Sequence, residues 1–260
     1  MTSNRILKAT LPSPALRWLR DRRLPFERLR RRLGLGPGPS LLRRITPINA
    51  DDYGESRGQC IDRYYIERFL TAHAADVQGH VLDFCDDTYA RRFGDAKTTK
   101  VDVLHLSADN PRATIVADLT RADEIRSGMF DCILCLQVLH CIFDVQAAIR
   151  TLYRILRPGG VVLVSVPGIQ KIDSVDIQGG QEYWRFTSLA IRRLFEEVFP
   201  KDNVELKAHG NVLAAIAFLH GLAVEDLRRK DLDYCDRDYE VSITLRAVKP
   251  NPPATSPTHG

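Results

Sequence analysis

Phe130-Asp-Cys-Ile-Leu-Cys-Leu-Gln-Val-Leu-His140 is the stretch that decides the fold, together with Leu156-Arg-Pro-Gly-Gly-Val-Val-Leu-Val-Ser-Val166, which follows it closely. Each contains a continuous apolar run, Cys132–Leu136 in the first and Val161–Val166 in the second. Runs of this length are too short to cross a membrane, and they are typical of strands covered on both faces. The two stretches therefore predict two buried strands.

A helix is predicted between these strands, from about Val145 to Leu156, with Asp144 as its N-terminal cap. Pro158 cannot continue that helix because it lacks a backbone N–H. Gly159-Gly160 then permit a sharp reversal into the second strand. A strand–helix–strand unit of this kind requires a crossover connection, so the two strands are expected to be parallel.

The rest of the chain continues the alternation of strands and helices. Short apolar or β-branched runs predict further strands over His80–Asp83, Lys100–Leu106, Ala113–Ala117, Val204–Ala208 and Tyr239–Val248. Apolar residues at helical spacing predict helices over Ile61–Ala75 and Thr187–Phe199, and a buried helix over Asn211–Leu222. Such alternation indicates an α/β fold with a mainly parallel sheet and helices on both faces.

The sequence predicts three parts: an extension over 1–50, a folded domain over 51–250 and a disordered tail over 251–260. The extension carries twelve Lys/Arg against two acids, a net charge of +10, and ends in a Gly/Pro-rich linker. Residues 1–44 are interpreted either as a docking segment for an acidic protein or a membrane surface, or as a solvated, poorly ordered terminus. Nucleic acid is not expected as a partner, because no basic and aromatic stripe continues into the domain.

Hydropathy and cysteine usage indicate a cytoplasmic protein. No apolar run approaches the roughly 20 residues that a transmembrane helix needs. Six cysteines occur, and several lie in strand sequence, which fits reduced thiols. Cys132 and Cys135 form a CxxC pair, but residues three apart on a strand face opposite ways, so no metal site is expected.

The opening stretches resemble the FDxIxxxxVLxH and LxPGG segments of class I S-adenosylmethionine-dependent methyltransferases. A more particular resemblance covers residues 44 to about 249 and rests on several short motifs. These are Ser56-Arg-Gly, Ile61-Asp-Arg-Tyr-Tyr-Ile-Glu67, Asp86-Asp-Thr-Tyr, Arg92-Phe-Gly94, Ala117-Asp-Leu-Thr120 and Tyr183-Trp-Arg-Phe-Thr187. They are similar to a bacterial type 11-like group that carries a DDTY-type loop in place of GxGxG. That group is often associated with glycosyltransferases and with saccharide or secondary-metabolite pathways.

The resemblance implies a Rossmann-like, seven-stranded sheet of order 3-2-1-4-5-7-6 with the last strand antiparallel, and S-adenosyl-L-methionine as the cofactor. Ligands of such sheets bind at the carboxyl ends of the strands, where the strand order reverses. Asp83 matches the acidic position of the first loop, whereas Cys85, Asp87 and Tyr89 stand at the positions of the glycines. We expect a variant loop that holds the cofactor through Asp83, Cys85 and Asp86; the alternative is a retained fold with a decayed cofactor site.

Four further cofactor contacts are predicted at successive strand ends. Asp102 follows Asp83 by 19 residues, close to the interval at which an acidic residue grips ribose hydroxyls. The resemblance places Asp118 against the adenine amino group, with Leu119 beside the ring. Gln137 follows the fourth strand and is predicted to meet the methionyl end of the cofactor.

His140 is the candidate catalytic residue, since it follows the fourth strand and an imidazole can deprotonate an acceptor hydroxyl. Its alternative role is packing. The predicted substrate contacts are aromatic side chains and one guanidinium, which suit a sugar ring or an acidic acceptor. They are Tyr65, Tyr183, Trp184 and Arg185. Residues 183–185 are interpreted equally well as a packed junction before a helix capped by Thr187.

The sequence therefore predicts a methyltransferase that acts on a small molecule or saccharide, most simply at oxygen, in a biosynthetic pathway. The alternative is a methyltransferase-fold protein without methyl transfer. It would be a partner or scaffold of a biosynthetic enzyme, or a cofactor-free catalyst that uses the same pocket.

Overall fold

The computed structural model describes residues 53–173 and 182–252. The strands of this part are β1 Gly79–Phe84, β2 Thr98–His105, β3 Ile115–Val116, β4 Phe130–Leu136, β5 Leu156–Pro167, β6 Val204–His209 and β7 Ser242–Val248. They form one sheet of order β3-β2-β1-β4-β5-β7-β6. β7 runs antiparallel to both β5 and β6, and the pairings among β1 to β5 are parallel. This confirms the predicted fold class.

Helices cover both faces of the sheet. They are α1 Ile61–Ala72, α2 Thr88–Gly94, α3 Val145–Ile155, α4 Ser188–Glu196, α5 Val212–Leu219 and α6 Arg229–Asp233. Short 3-10 turns lie between them, among them Leu139–Cys141 directly after β4. Two cap predictions hold: the Asp144 carboxylate accepts a hydrogen bond from Ala147 N (2.9 Å), and the Thr187 hydroxyl accepts one from Ala190 N (3.2 Å).

Side chains of β1, β4 and β5 alternate between two hydrophobic cores. One core joins α3 and α4 to the sheet, and the other joins α1 and α2 to its opposite face. Cys135 lies in the first core and Cys132 in the second, as a period of two requires. Both thiols are buried.

The Pro-Gly-Gly segment lies within β5, which starts earlier than the apolar run predicts. β5 pairs with β4 at Leu156 opposite Phe130, and pairing resumes with Val161 opposite Cys132. The intervening residues form a bulge in which Gly159 has a φ of +76°. That angle is one that glycine adopts without strain. The glycines therefore create an irregularity at the start of β5 instead of a separate turn before it.

The prediction of a buried helix over Asn211–Leu222 is correct for the helix but wrong for its burial. The Asn211 side chain accepts hydrogen bonds from Leu213 N and Ala214 N and so starts α5. One face of α5 packs against α1, but its other face is exposed. The exposed residues are Val212, Leu213, Ile216 and Leu219. The helix is apolar all round, a composition that by itself predicts complete burial.

Several predictions fall on other parts of the chain. The basic extension over 1–50 lies outside the described residues, which begin at Tyr53. Residues 253–260 of the predicted tail also lie outside them. None of the helices in 53–173 and 182–252 has the length and apolar character needed to cross a bilayer.

Candidate cofactor and acceptor site

A cavity of about 600 Å³ opens where the strand order reverses between β1 and β4. We call it the switch-point cavity. Each of the first four strands contributes to its lining at or beyond its carboxyl end: Cys85 after β1, His105 at the end of β2, Asp118 after β3 and Gln137 after β4. This is the position at which open α/β sheets bind ligands.

The loop after β1 adopts a glycine-like conformation although it contains no glycine. Cys85 has a φ of +65°, in the left-handed region. Its N–H donates to Leu104 O (3.2 Å), and its carbonyl accepts from the Asn110 side chain (2.7 Å). Asp87 pairs with Arg91, and neither Asp87 nor Tyr89 lines the cavity. The loop thus leaves the cleft open at Cys85.

Replacing Cys85 by glycine should raise the free energy of unfolding by roughly 0.5–1 kcal/mol. The left-handed conformation costs a non-glycine residue about 1–2 kcal/mol, and the greater chain entropy of glycine in the unfolded state offsets part of this gain. Urea denaturation measures the difference. Cys85→Ala is the matched control, because it removes the sulfur but keeps Cβ. An equal gain from alanine would show that the thiol, and not the backbone angle, is responsible.

Asp83 and Asp86 do not line the switch-point cavity, and their contacts with the cofactor stay a prediction. Asp83 is buried, and its two carboxylate oxygens accept from Phe84 N (2.9 Å) and Ala90 N (3.1 Å), so it fixes α2 to the end of β1. Burial is the main cause that raises its pKa to about 7. Asp86 accepts from Thr88 N (2.8 Å) at the start of α2. Both carboxylates shape the loop from behind.

Asp102 lies in the middle of β2 and not at its end, and its contact with the cofactor ribose stays a prediction. Its buried carboxylate accepts from His80 Nε2 (2.6 Å), Lys100 Nζ (2.8 Å) and Thr114 Oγ1 (2.9 Å). β2 continues for three more residues, and His105 lies at the strand end beside the cavity. Counting about 20 residues from Asp83 therefore led to a carboxylate of an internal ion pair, and not to a residue at the end of the strand. Strand sequence continues past Asp102 through Val103 and Leu104. This continuation is the signal that would have placed His105 at the strand end.

Asp118 and Leu119 line the switch-point cavity, and their contact with the cofactor stays a prediction. Asp118 is exposed, and its Oδ1 accepts from Thr120 N (2.9 Å) and Thr120 Oγ1 (2.8 Å). The backbone hydrogen bond from Thr120 is the main cause that lowers the pKa of Asp118, so the group is ionised at neutral pH. Leu119 is buried and provides an apolar wall beside it. A carboxylate next to an apolar surface suits a flat base that carries an amino group.

Gln137 is strained and lacks hydrogen bonds for its side chain. Its φ is +54°, although it follows directly after a regular strand. Both atoms of its side-chain amide are buried without a hydrogen-bond partner among the residues that the structure describes. Strained and unsatisfied residues are frequent at ligand sites. Gln137 lines the switch-point cavity and also a second one.

This second cavity, which we call the polar cavity, has a volume of about 420 Å³. Its described lining is almost entirely polar: Tyr53, Glu55, Cys60, Asp62, Arg63, Gln137, His140, Gln170, Asp173 and Glu182. Sequence reasoning missed most of these residues, because they come from separate segments and form no local motif. The signal that was present is Glu182, an acid immediately before the aromatic pair at 183–184.

His140 lies in the polar cavity as a buried, neutral imidazole. Burial is the main cause that lowers its pKa to about 4. Its Nε2 is 3.5 Å from Glu182 Oε1, and its Nδ1 makes no hydrogen bond within the described part of the chain. Its carbonyl accepts from Tyr183 N (2.9 Å) and Trp184 N (3.2 Å), which joins the turn after β4 to the segment before α4. His140 is therefore placed to accept a proton.

The three aromatic candidates occupy three different places. Tyr65 is buried away from both cavities, where its hydroxyl donates to Leu232 O (3.0 Å) and its ring stacks on His209. Tyr183 lines the switch-point cavity. Trp184 lines neither cavity, and its Nε1 donates to Ile142 O (3.0 Å). The substrate contacts of these three residues stay a prediction.

Arg185 supports the wall of the polar cavity from behind and does not line it, and its contact with the substrate stays a prediction. Its guanidinium donates to Glu182 Oε2 (2.8 Å) and to the carbonyls of Gln170 (3.3 Å), Lys171 (2.7 Å) and Trp184 (2.9 Å). Glu182, whose side chain is only 2 % exposed, is thereby fixed with its other oxygen towards His140. Arg185 positions a cavity residue.

Comparisons with known proteins agree with this arrangement. A family model with the description "Methyltransferase domain" (Methyltransf_11) matches residues 67–164, a range that includes β1 to β4, α3 and most of β5. No curated protein matches the chain.

Similar solved structures include the cyclase SpnF (16 % identity, 75 % of this chain and 85 % of that one, TM-score 0.49). A second is a SAM-dependent methyltransferase from Archaeoglobus fulgidus (9 % identity, 72 % of this chain and 94 % of that one, TM-score 0.48). A third is a phosphoethanolamine N-methyltransferase from Haemonchus contortus bound to S-adenosylhomocysteine (15 % identity, 78 % of this chain and 61 % of that one, TM-score 0.47). The assignment rests on the family match and on the topology of the sheet. Residues 67–164 match the methyltransferase domain model, and the described sheet has the strand order expected of the class I, S-adenosylmethionine-dependent type.

Proposed function

We propose that this protein transfers a methyl group from S-adenosylmethionine to a hydroxyl group of a small molecule or saccharide in a bacterial biosynthetic pathway. The observation that supports this most directly is the meeting of two cavities at Gln137. One lies at the position for a cofactor in this type of sheet, and the other is polar and contains a neutral histidine. Two adjoining cavities suit a reaction between two bound molecules.

The residues of the switch-point cavity fit S-adenosylmethionine. Cys85 takes a backbone conformation that brings the loop close to a ligand, as a glycine would. Asp118 and Leu119 would hold the adenine, and the unpartnered amide of Gln137 would bind the methionyl end. The cofactor, when bound, supplies an electrophilic methyl group on a sulfonium sulfur.

His140 and Gln137 would act on the acceptor. Gln137 would orient the hydroxyl group, since its amide can both donate and accept. His140 Nδ1 would take the hydroxyl proton as the oxygen forms its bond to the methyl carbon, while Nε2 faces the Glu182 carboxylate. Positioning supplies most of the rate gain, and the histidine removes the proton.

Titration calorimetry with S-adenosylhomocysteine tests the proposal. Saturable binding is expected, and Ala117→Leu should weaken it at least about tenfold, since Ala117 lines the switch-point cavity and a larger side chain would fill it. Ala96→Leu is the matched control, because Ala96 is exposed and lies outside that cavity. Incubation with S-adenosylmethionine and pooled saccharides, read by mass spectrometry, then identifies methylated products. An absence of binding at millimolar ligand would contradict the proposal.

A second candidate function is supported by the end of β2. No acidic side chain of β2 lines the switch-point cavity among the described residues; His105 and Leu106 stand there instead. A protein that keeps the fold without methyl transfer, as a partner of a biosynthetic enzyme or as a cofactor-free catalyst, would have no need of a ribose-binding carboxylate. The calorimetric titration separates the two functions, since only the first requires the cofactor to bind.

The cytoplasmic location remains a prediction. The same holds for the contact of residues 1–44 with an acidic protein or a membrane surface, since these residues lie outside the described part of the chain.

A further inference from the structure

The polar cavity collects most of the buried polar atoms that lack a hydrogen bond. Nine buried side-chain nitrogen or oxygen atoms have no hydrogen-bond partner in the part of the chain that the structure describes, and six of them belong to residues that line this cavity. These six are Tyr53 Oη, Gln137 Oε1 and Nε2, His140 Nδ1, Gln170 Oε1 and Glu182 Oε1. Packing faults would be scattered, whereas a ligand site leaves its contact atoms unpaired together until the ligand binds.

The six atoms include both donors and acceptors of hydrogen bonds. Gln137 Oε1, Gln170 Oε1 and Glu182 Oε1 accept, and His140 Nδ1 accepts when Nε2 carries the proton. Gln137 Nε2 donates, and the Tyr53 hydroxyl can do both. Burial is the main cause that raises the pKa of Tyr53 to about 12, so this hydroxyl keeps its proton at neutral pH. A ligand that satisfies the whole set must both donate and accept, and must do so at more than one point.

Hydroxyl groups match these atoms better than an anion or an ammonium group does. A carboxylate or a phosphate ester only accepts, so it would place its lone pairs against those of Glu182 Oε1 and Gln170 Oε1. An ammonium group only donates, so it would leave Gln137 Nε2 without an acceptor. A hydroxyl group donates and accepts at one oxygen.

The unpartnered atoms form two adjoining groups. Gln137 and His140 follow β4, and the proposed function gives them the hydroxyl that is methylated. Tyr53, Gln170 and Glu182 lie together. Besides burial, Gln170 and Glu182 both shift the pKa of the Tyr53 hydroxyl, although Tyr53 Oη and Gln170 Oε1 stop short of hydrogen-bond geometry. Glu182 joins the two groups, because its Oε1 is 3.5 Å from His140 Nε2.

The second group is held in place by its surroundings. The Tyr53 ring packs on the Phe218 ring with centroids 5.6 Å apart, and Lys171 Nζ lies 4.0 Å from the centre of the Tyr53 ring. Glu182 Oε2 accepts a hydrogen bond from Arg185 (2.8 Å), which leaves Oε1 for a ligand. Contact atoms that are already fixed lower the entropy cost of binding.

We propose that the acceptor carries two neighbouring hydroxyl groups on one ring, as a pyranose does. The first meets Gln137 and His140 and is the one that is methylated. The second keeps its proton and is held as an anchor by Tyr53, Gln170 and Glu182. The two hydroxyls must be neighbours because Glu182 borders both groups of atoms, and a cavity of about 420 Å³ accommodates one ring. The inference rests on the proposed function, because it names the chemical class of the acceptor for the same site.

Three cyclohexane alcohols are suitable probes, because they share a ring and differ only in the number and spacing of hydroxyl groups. They are cyclohexanol, the cyclohexanediol with hydroxyls on adjacent carbons (the adjacent diol) and the isomer with hydroxyls on opposite carbons (the opposite diol). The protein is titrated with each, with and without saturating S-adenosylhomocysteine, and binding is read by NMR chemical-shift changes. The adjacent diol should bind at least about tenfold more tightly than the other two, since it alone fills both groups of partners.

Tyr53→Phe should weaken binding of the adjacent diol roughly three- to tenfold and leave that of cyclohexanol within about twofold, because it removes one anchoring hydroxyl. The ring that packs on Phe218 is kept. Tyr239→Phe is the matched control, since Tyr239 is exposed and lies outside the cavity, and it should change neither affinity. If Tyr53→Phe fails to fold, Gln170→Ala tests the same anchor.

Equal binding of the two diols overturns the anchor, and so does an equal loss for cyclohexanol and the adjacent diol in Tyr53→Phe. A failure of the adjacent diol to bind in either state has the same meaning. Absence of S-adenosylhomocysteine binding overturns methyl transfer instead, while the titrations without it still show whether the cavity prefers adjacent hydroxyl groups.

Discussion

Asp102→Ala should lower the free energy of unfolding by about 3 kcal/mol and leave the affinity for S-adenosylhomocysteine within about twofold. The buried carboxylate accepts three hydrogen bonds, from His80, Lys100 and Thr114. Removing it leaves the imidazole and the hydroxyl without their partner, and loss of one member of a buried pair typically costs about 3–5 kcal/mol. The exposed position of Lys100 places the effect at the lower end. Urea denaturation and calorimetry measure the two quantities.

Asp118→Ala should behave in the opposite way. Asp118 is exposed, so its loss changes stability by less than about 1 kcal/mol. The affinity for S-adenosylhomocysteine should fall roughly 10- to 100-fold, because a hydrogen bond to a charged group is worth about 1.5–3 kcal/mol. Asp123→Ala, also exposed but outside the switch-point cavity, is the matched control. If Asp102→Ala weakened binding and Asp118→Ala did not, the ribose role predicted for Asp102 would stand.

The stability difference between the wild type and Asp102→Ala should depend on pH. Burial opposes ionisation of Asp102, but the hydrogen bonds from Lys100, His80 and Thr114 outweigh it and lower the pKa below the unfolded value of 3.8. A carboxylate whose pKa is lower in the folded state than in the unfolded state stabilises the fold fully when the pH is above the unfolded pKa. This stabilisation is lost as the pH falls through the folded pKa. The two proteins should therefore approach each other in stability below about pH 4.

The fold was predictable because its decisive signals are local. Apolar runs over β4 and β5, with the Pro-Gly-Gly segment between, identify a parallel pair and its crossover from about 40 residues. The order of the sheet came from resemblance. The prediction that α5 is buried was wrong, because composition shows only that a helix could be buried. The rest of the chain decides whether anything covers it.

The site was predictable only where a strand end could be read from the sequence. Cys85 and Gln137 follow a strand directly, Asp118 follows one after a single residue, and all three line the switch-point cavity. Asp102 was selected by counting residues from Asp83, and a count takes no account of where β2 ends. The polar cavity had no sequence signal of this kind, since its lining extends from Tyr53 to Glu182 and only the tertiary fold brings these residues together.

Arg185→Ala should produce the largest loss of stability, about 3–5 kcal/mol. The guanidinium neutralises Glu182, whose side chain is almost fully buried, and it also donates to three carbonyls on both sides of the cavity wall. Its removal leaves a buried carboxylate without its counter-ion, which is the costly outcome for a buried pair. Arg185→Lys should recover part of the loss, because an ammonium keeps the charge but lacks the fork that reaches several acceptors. Urea denaturation measures each variant.

The double variant Arg185→Ala/Glu182→Gln separates the ion pair from the carbonyl contacts. It should be more stable than Arg185→Ala alone, because the neutral amide removes the unpaired buried charge that makes the single change so costly. Arg193→Ala, an exposed residue of α4, is the control and should change stability by less than about 0.5 kcal/mol. If the double variant were less stable than Arg185→Ala, the charge of Glu182 would not be the source of the loss. The three carbonyl contacts would then carry the stability of this wall.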